Sequence, residues 1–210
     1  VPRQDVSIHD APLSKRELQD AALVAARAFH TDPFFEYLSP MAVARARGLA
    51  LYFASLLRHL GPTARILTGR RDGAVIGIGA WIPPEGYPFT ASLQLAQTLG
   101  ALRALYRVPP SIVRGLRYLT AIETAHPKEP LWYLQLLACD AQHQGTGVGT
   151  ALVEGVLAEC DRDGIASYLE TQKEANLAYY GRFGYEVAAT LNPVRDGPPL
   201  WTLRREPRQR

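Results

Sequence analysis

Between residues 131 and 163 the chain passes from an apolar run, through a glycine-dense turn, into an amphipathic run. Few architectures accept that order. Leu131 to Cys139 reads as a strand. Gln144-Gly145-Thr146-Gly147-Val148-Gly149 reads as a turn, and from Thr150 to Asp163 the residues Leu152, Val153, Val156, Leu157 and Cys160 form one helical stripe stopped by Gly164. Glycines let the backbone take positive φ and approach a ligand closely. The first N–H groups of a helix lack internal partners, and the helix dipole adds about half a positive charge there. A strand, a glycine turn and a helix start together make an anion site suited to phosphate. The first carboxylate on this helix is Glu154, so no acidic side chain competes in the first turn. Neither common phosphate motif fits. Gly145-x-Gly147-x-Gly149 misses the third glycine of the dinucleotide fingerprint and stands in the last third of the chain, and no Gly-Lys pair supplies a Walker loop.

The rest of the sequence surrounds this unit with both element types. Ser14 with Glu17 forms a capping-box pattern, and Leu18, Ala21, Ala22, Ala25 and Phe29 predict a helix over 14–30. Thr31-Asp32-Pro33 is expected to end it. A second helix is expected over 41–60, stopped by Gly61-Pro62. Residues 64–67 and 74–82 flank Arg71-Asp72-Gly73, a strong hairpin signal. Two helices are expected over 89–107 and 111–125. After the turn-rich unit come a strand over 165–170, parallel to the strand at 131–139 by a right-handed crossover, a short helix over 176–183, and strands over 185–191 and 200–204.

Length and composition bound the function. A chain of 210 residues with 47% hydrophobic and 20% charged residues predicts one domain spanning 1–210 with a substantial core. Two cysteines, Cys139 and Cys160, are too few for a disulfide framework, and five scattered histidines give no metal-ligand spacing, so no metal is expected. The longest nearly apolar run, 48–57, is about half of a bilayer span, and the polar start (Arg3, Asp5, His9, Asp10) shows no signal-peptide pattern. No membrane contact and a cytoplasmic setting are the expectation. The net charge of +3 owes much to Arg204, Arg205, Arg208 and Arg210, which read as a solvated tail. No nucleic-acid partner is expected from so small an excess.

Two stretches carry a resemblance. Gln144 to Gly149 resembles the Q-x-x-G-x-G acyl-CoA signature of the GNAT N-acetyltransferase superfamily. Asn176-Leu177-Ala178-Tyr179-Tyr180-Gly181-Arg182-Phe183-Gly184-Tyr185 resembles its second signature, N-x-x-x-[FY]-Y-x-x-x-G-[FY]. Lys128 to Trp132, Leu169-Glu170-Thr171 and Pro199-Leu200-Trp201 are closest in pattern to the puromycin N-acetyltransferase branch. The specific match covers about residues 126–206. Ala141 stands where proline is common and Cys139 where valine is common, positions that need no particular side chain.

The resemblance implies a mixed α/β GNAT acyl-CoA N-acyltransferase fold: hairpin strands at 64–82, a helical insertion at 89–125 and an acetyl-CoA-binding half at 131–205. It implies acetyl-CoA as co-substrate, with backbone N–H groups of Gln144, Gly145, Thr146, Gly147, Val148, Gly149 and Thr150 around the pyrophosphate. Leu137, Ala138 and Cys139 are expected along the pantetheine, on a strand that splays from its parallel neighbour, and Asn176 near the pantetheine or thioester. The acceptor is expected to be a primary amine of a small molecule, aminonucleoside-like or antibiotic-like. A protein lysine or N-terminus and a non-catalytic acyl-CoA sensor are the alternatives. An alkylamine has a pKa near 10 and must lose a proton to attack. Glu170 is the expected base or ammonium holder, and Tyr180, also expected among the cofactor-binding residues, is the acid for the departing thiolate. Tyr179 lies about 100° around the helix from Tyr180, so one of the two can face the sulfur. Asp32, Phe34, Trp81 and Trp132 are expected in the acceptor pocket. Monomer and homodimer are both compatible with the sequence.

Overall fold

The computed structural model describes residues 6–61, 63–89, 94, 98, 99 and 109–208. The element order is β1 (Ser7–Asp10), α1 (Lys15–Ala28), α2 (Pro33–Leu38), α3 (Ala42–Leu60), β2 (Arg65–Arg71), β3 (Ala74–Ile82), α4 (Pro109–Ala125), β4 (Trp132–Cys139), α5 (Val148–Asp163), β5 (Ser167–Thr171), α6 (Ala175–Gly181), β6 (Glu186–Leu191) and β7 (Leu200–Arg205). Seven strands form one sheet in the order β1-β2-β3-β4-β5-β7-β6. All neighbours are antiparallel except β4 and β5. This is the mixed sheet the sequence implies. The expected helix over 89–107 lies largely outside the described residues. Among the described residues no helix is long and apolar enough to cross a membrane.

Local chemistry sets the ends of these elements. Ser14 caps α1 through the reciprocal bonds of a capping box, its side chain accepting from the Glu17 N–H while Glu17 accepts from the Ser14 N–H. Asp72 and Gly73 both have positive φ, as a tight hairpin turn between right-twisted strands requires. Asp32-Pro33 does more than end α1. The Asp32 carboxylate accepts from Phe34 N–H at 3.0 Å and Pro33 stands at the first helical position, so the same residues start α2. The charged, short β1 was not expected; it exists because it pairs with the edge of β2.

The two faces of the sheet are covered differently. On one, Ile78, Ala80, Ile82, Tyr133, Leu136, Ala138 and Tyr168 pack with α1 and α3. On the other, Leu67, Trp81, Leu134, Leu169 and Leu203 pack beneath α5 and α6. Gly77 lets α5 sit directly on this second face: a Cβ there would lie 2.5 Å from Val148 Cγ1. Arg204 and Arg205 are not a solvated tail, since both belong to β7. Arg205 is buried, bonded to the Phe183 carbonyl and the Asp161 carboxylate, and Arg204 is paired with Glu129 and Glu206.

Candidate active site

β4 and β5 begin side by side and then part. They pair only at Trp132↔Ser167 and Tyr133↔Tyr168, although β4 runs on to Cys139. The cause is visible on the other side of β4. Trp81 faces Leu134 while Ala80 faces Leu136, so Gln135 is an extra residue, a bulge that bends the strand away. A cleft of about 140 Å³ opens where the strands separate. It reaches both sides of the sheet: Tyr133, Leu136 and Glu170 line it together with Leu134, Leu137, Asn176 and Tyr180.

At the C-terminal end of β4, a short 3-10 turn (Ala141–His143) leads into the glycine loop. Gly145 and Gly147 have φ of 76° and 92°, and nothing lies within 4 Å of where their Cβ atoms would be. The conformation thus calls for glycine while the surroundings stay open, which is what a cradle for a bulky anion needs. Gly147 is the N-cap of α5 and offers no side chain to the first turn, leaving the helix N–H groups to a ligand. Thr146 braces the loop by donating to the His143 carbonyl at 2.7 Å. Gly149 is glycine for a different reason. A Cβ there would sit 2.7 Å from the Tyr179 hydroxyl, so α6 lies close against α5. With a free β4 edge next to an open glycine cradle that carries no acid, these residues fit an extended thioester ligand with a diphosphate.

Glu170 sits on β5, beyond the last rung shared with β4. Burial pushes its carboxyl up to about 7, against the pull of the nearby Tyr133 and Tyr168 phenols. Its Oε1 is buried without a hydrogen-bond partner. Tyr180 lines the cleft from α6, and burial drives its phenol upward, so it holds its proton. Tyr179, next in the chain, points instead toward α5, and its hydroxyl is buried near Gly149 and Cys139. Asn176 lines the cleft and donates to Thr171 Oγ1 at 2.9 Å, which fixes its amide.

The four residues expected in an acceptor pocket divide. Asp32 and Phe34 line the cleft from α2 with Phe29, Phe35 and Phe53. Asp32 is 8% exposed, and burial raises its carboxyl despite the N–H groups of Phe34 and Phe35. Trp81 and Trp132 are not there. Trp81 is fully buried beneath α5, its indole donating to the Leu152 carbonyl at 3.3 Å. Trp132 packs on the same face of the sheet, away from the cleft walls. The single extra residue of the β4 bulge puts Leu134 and Trp132 on the α5 face, opposite to Leu136 and Ala138, which alternation along β4 does not show. Trp81 takes the same face by plain alternation with Ala80 and Ile82 on β3. Gln135, Thr171 and Gln172 also line the cleft and were missed. A polar residue inside the otherwise apolar run Leu134–Leu137 was the one available signal for Gln135.

Comparison with known proteins gives consistent results. The acetyltransferase (GNAT) family model matches residues 25–185. Over 78 residues the chain is 32% identical to an uncharacterized N-acetyltransferase of Schizosaccharomyces pombe, a stretch that covers 36% of this chain and 32% of that protein. Over 62 residues it is 31% identical to N-alpha-acetyltransferase 50 of Danio rerio, covering 28% of this chain and 37% of that one. The matched stretches thus span about a third of the length of these curated relatives. Among solved structures, an acetyltransferase of Corynebacterium glutamicum described as histone acetyltransferase HPA2 and related has a TM-score of 0.68 at 20% identity, covering 99% of both chains. A polyamine N-acetyltransferase of Drosophila melanogaster has 0.60 at 15%, covering 96% of this chain and 100% of that one. The PaiA N-acetyltransferase of Thermoplasma acidophilum, in complex with coenzyme A, has 0.57 at 12%, covering 97% and 99%. At these identities the likeness is one of fold.

Proposed function

Since the chain belongs to the GNAT acetyltransferase family, we propose that it transfers the acetyl group of acetyl-CoA to a primary amine of a small molecule. The observation that carries this reading is the splayed β4–β5 pair, with Glu170 and Tyr180 lining the cleft between its strands and the open glycine cradle at the end of β4. Acetyl-CoA supplies an activated thioester when bound. The chain's own residues do the rest. Backbone N–H groups from Gln144 to Thr150 hold the diphosphate, and the free edge of β4 through Leu137, Ala138 and Cys139 orients the pantetheine. Asn176, held by Thr171, lines the same channel.

Glu170 accepts the proton of the incoming ammonium. A carboxyl near 7 is half ionised at neutral pH, which suits a base far better than an ordinary one. Tyr180 donates to the leaving sulfur, its phenol kept protonated by burial. The Tyr180→Phe variant is expected to lose about 10²–10⁴-fold in kcat with coenzyme A affinity unchanged. Stopped turnover and calorimetry measure the two, and an undiminished kcat removes Tyr180 from the reaction. Asp32, beside the aromatic wall of α2, adds negative charge for a cationic acceptor.

A small acceptor is supported by the narrowness of the cleft and its aromatic wall of Phe29, Phe34, Phe35 and Phe53. The likeness of residues 128–132, 169–171 and 199–201 to the puromycin N-acetyltransferase branch points toward aminonucleoside-like amines. The match to N-alpha-acetyltransferase 50 keeps a peptide N-terminus as the second reading. Thiol release measured across aminonucleosides, aminoglycosides, polyamines, amino acids and N-terminal peptides tests the proposal. Turnover confined to peptides would replace it. Coenzyme A binding with no thiol release across the whole panel would indicate a sensor.

A further inference from the structure

His126 follows α4 and is 5% exposed. Its ring stacks on Tyr87, with centroids 3.6 Å apart and planes at 18°. It meets Tyr133 at 4.8 Å and Tyr168 at 5.0 Å, both at steep angles. Its Nδ1 lies 2.8 Å from the Pro127 carbonyl. A carbonyl only accepts, so Nδ1 carries the hydrogen and Nε2 is left with a lone pair. That Nε2 is buried without a partner. Burial also lowers the proton affinity of the ring, against the Pro127 carbonyl and the Glu129 charge, which favours the neutral imidazole.

Two further polar atoms nearby have no partner: the Tyr168 hydroxyl and Glu170 Oε1. Tyr168 and Glu170 are alternate residues of β5 and share one face, and Tyr133 stands opposite Tyr168 on β4. Unmet buried polar atoms are rare, because each costs about 1–3 kcal/mol. Here they have a common feature. The Tyr168 hydroxyl owns a single hydrogen; the Glu170 carboxylate is near it, as it is near the Tyr133 phenol, and the His126 ring lies against the Tyr168 ring with centroids 5.0 Å apart. Among the described residues the groups facing His126 are the phenols of Tyr87, Tyr133 and Tyr168, each in electrostatic reach of Glu170, and Glu129, which is turned to Arg204; Glu123 lies near Tyr87.

We infer that His126 is a positioning residue for Glu170, its bare Nε2 competing with the carboxylate, through one bridging water, for the single hydrogen of the Tyr168 hydroxyl. When the hydrogen goes to His126, Glu170 keeps fewer donors and remains a strong base. When His126 cannot accept, the hydrogen falls to the carboxylate, stabilises the charged form and weakens the base. The inference rests on Glu170 being the base of the proposed reaction, but it can be read without turnover.

The test is a titration of the full chain labelled with ¹³C at the glutamate carboxyls, with Glu170 assigned from the Glu170→Gln spectrum. In His126→Phe, which keeps a ring in the aromatic box, the Glu170 midpoint is expected about one pH unit lower, a tenfold weaker base. In a Tyr168→Phe background the same change is expected to do nothing. No movement of the midpoint in His126→Phe, or an equal drop without the Tyr168 hydroxyl, overturns the inference. Should His126→Phe fail to fold, ¹⁵N-histidine spectra of the unaltered chain decide instead. A neutral ring protonated at Nδ1, whose Nε2 resonance moves in Tyr168→Phe, is expected. A charged ring, the other tautomer, or an Nε2 resonance indifferent to Tyr168 refutes it. A failed titration alongside an inactive Glu170→Gln enzyme would leave the base assigned and remove only the part given to His126.

Discussion

The Glu170→Gln variant is expected to be the more stable protein above pH 7 and the far poorer catalyst. Burial raises the Glu170 carboxyl from its ordinary 4.5 to about 7. Between those values the folded chain holds a proton that the unfolded chain has released, so stability falls as pH rises through this window. The native protein has its full stability from this group below pH 4.5 and has lost about 3 kcal/mol of it by pH 8.5, at about 1.4 kcal/mol per pH unit. Glutamine has nothing to ionise. Urea melts are expected to show the variant ahead by about 3 kcal/mol at pH 8.5 and by less than about 1 kcal/mol at pH 5. In the native enzyme kcat is expected to rise with pH through about 7, as the base loses its proton. The variant is expected to lose that limb and about 10²–10⁴-fold in rate. A stability difference that does not change with pH would show that Glu170 is ionised in the fold at ordinary pH. An intact pH–rate limb in the variant would place the base elsewhere.

Gly77→Ala is expected to damage coenzyme A binding from the far side of helix α5. The added methyl would stand 2.5 Å from Val148 Cγ1, 3.1 Å from Leu152 Cδ1 and 3.3 Å from the Ala138 carbonyl. A β-branched side chain in a helix has essentially one χ1 rotamer, so Val148 cannot swing aside. The first turn of α5 must move outward, and with it the N–H groups proposed to hold the diphosphate. Overpacking of this kind costs about 1–3 kcal/mol. A drop in melting temperature together with at least tenfold weaker binding of coenzyme A is the expected result. Combining it with Val148→Ala removes the nearest clash and is expected to restore most of both. Undiminished affinity in Gly77→Ala would show that the cradle does not depend on how α5 is seated. Failure of the double variant to recover would locate the damage in the Leu152 or Ala138 contacts.

The glycine loop and the helix that follows β5, proposed as the cofactor side, were legible as local structure because their determinants are local. Gln144 to Thr150 and Asn176 to Tyr185 are contiguous, and a glycine that must have positive φ, such as Gly147, announces itself by type. The acceptor side was less legible because its determinants lie far apart in the chain. Asp32 and Phe34 reach the cleft because Arg45, buried and ten or more residues later, donates to the carbonyls of His30, Ser39 and Pro40 and so fixes the segment that carries α2. The helical spacing puts Arg45 on the inward stripe with Leu49 and Phe53, unlike the exposed Arg47 and Arg58, but it does not say which carbonyls the buried guanidinium meets. Trp132 was misplaced for a like reason, since the β4 bulge forms only against β3.

What the residues determined on their own was the succession of strand, glycine turn and helix, the caps that bound it, and the types of group available for proton transfer. Backbone sterics and periodic burial act over a few residues, and such short-range rules can be read along a line. Tertiary packing decided which face each strand residue takes, that β4 and β5 part after Tyr133, and that Glu170 is left short of solvent and of partners. Those outcomes depend on one bulge and on side chains that meet only when the sheet closes. The proton affinity of a carboxylate follows from what surrounds it in space, and no stretch of sequence encodes that.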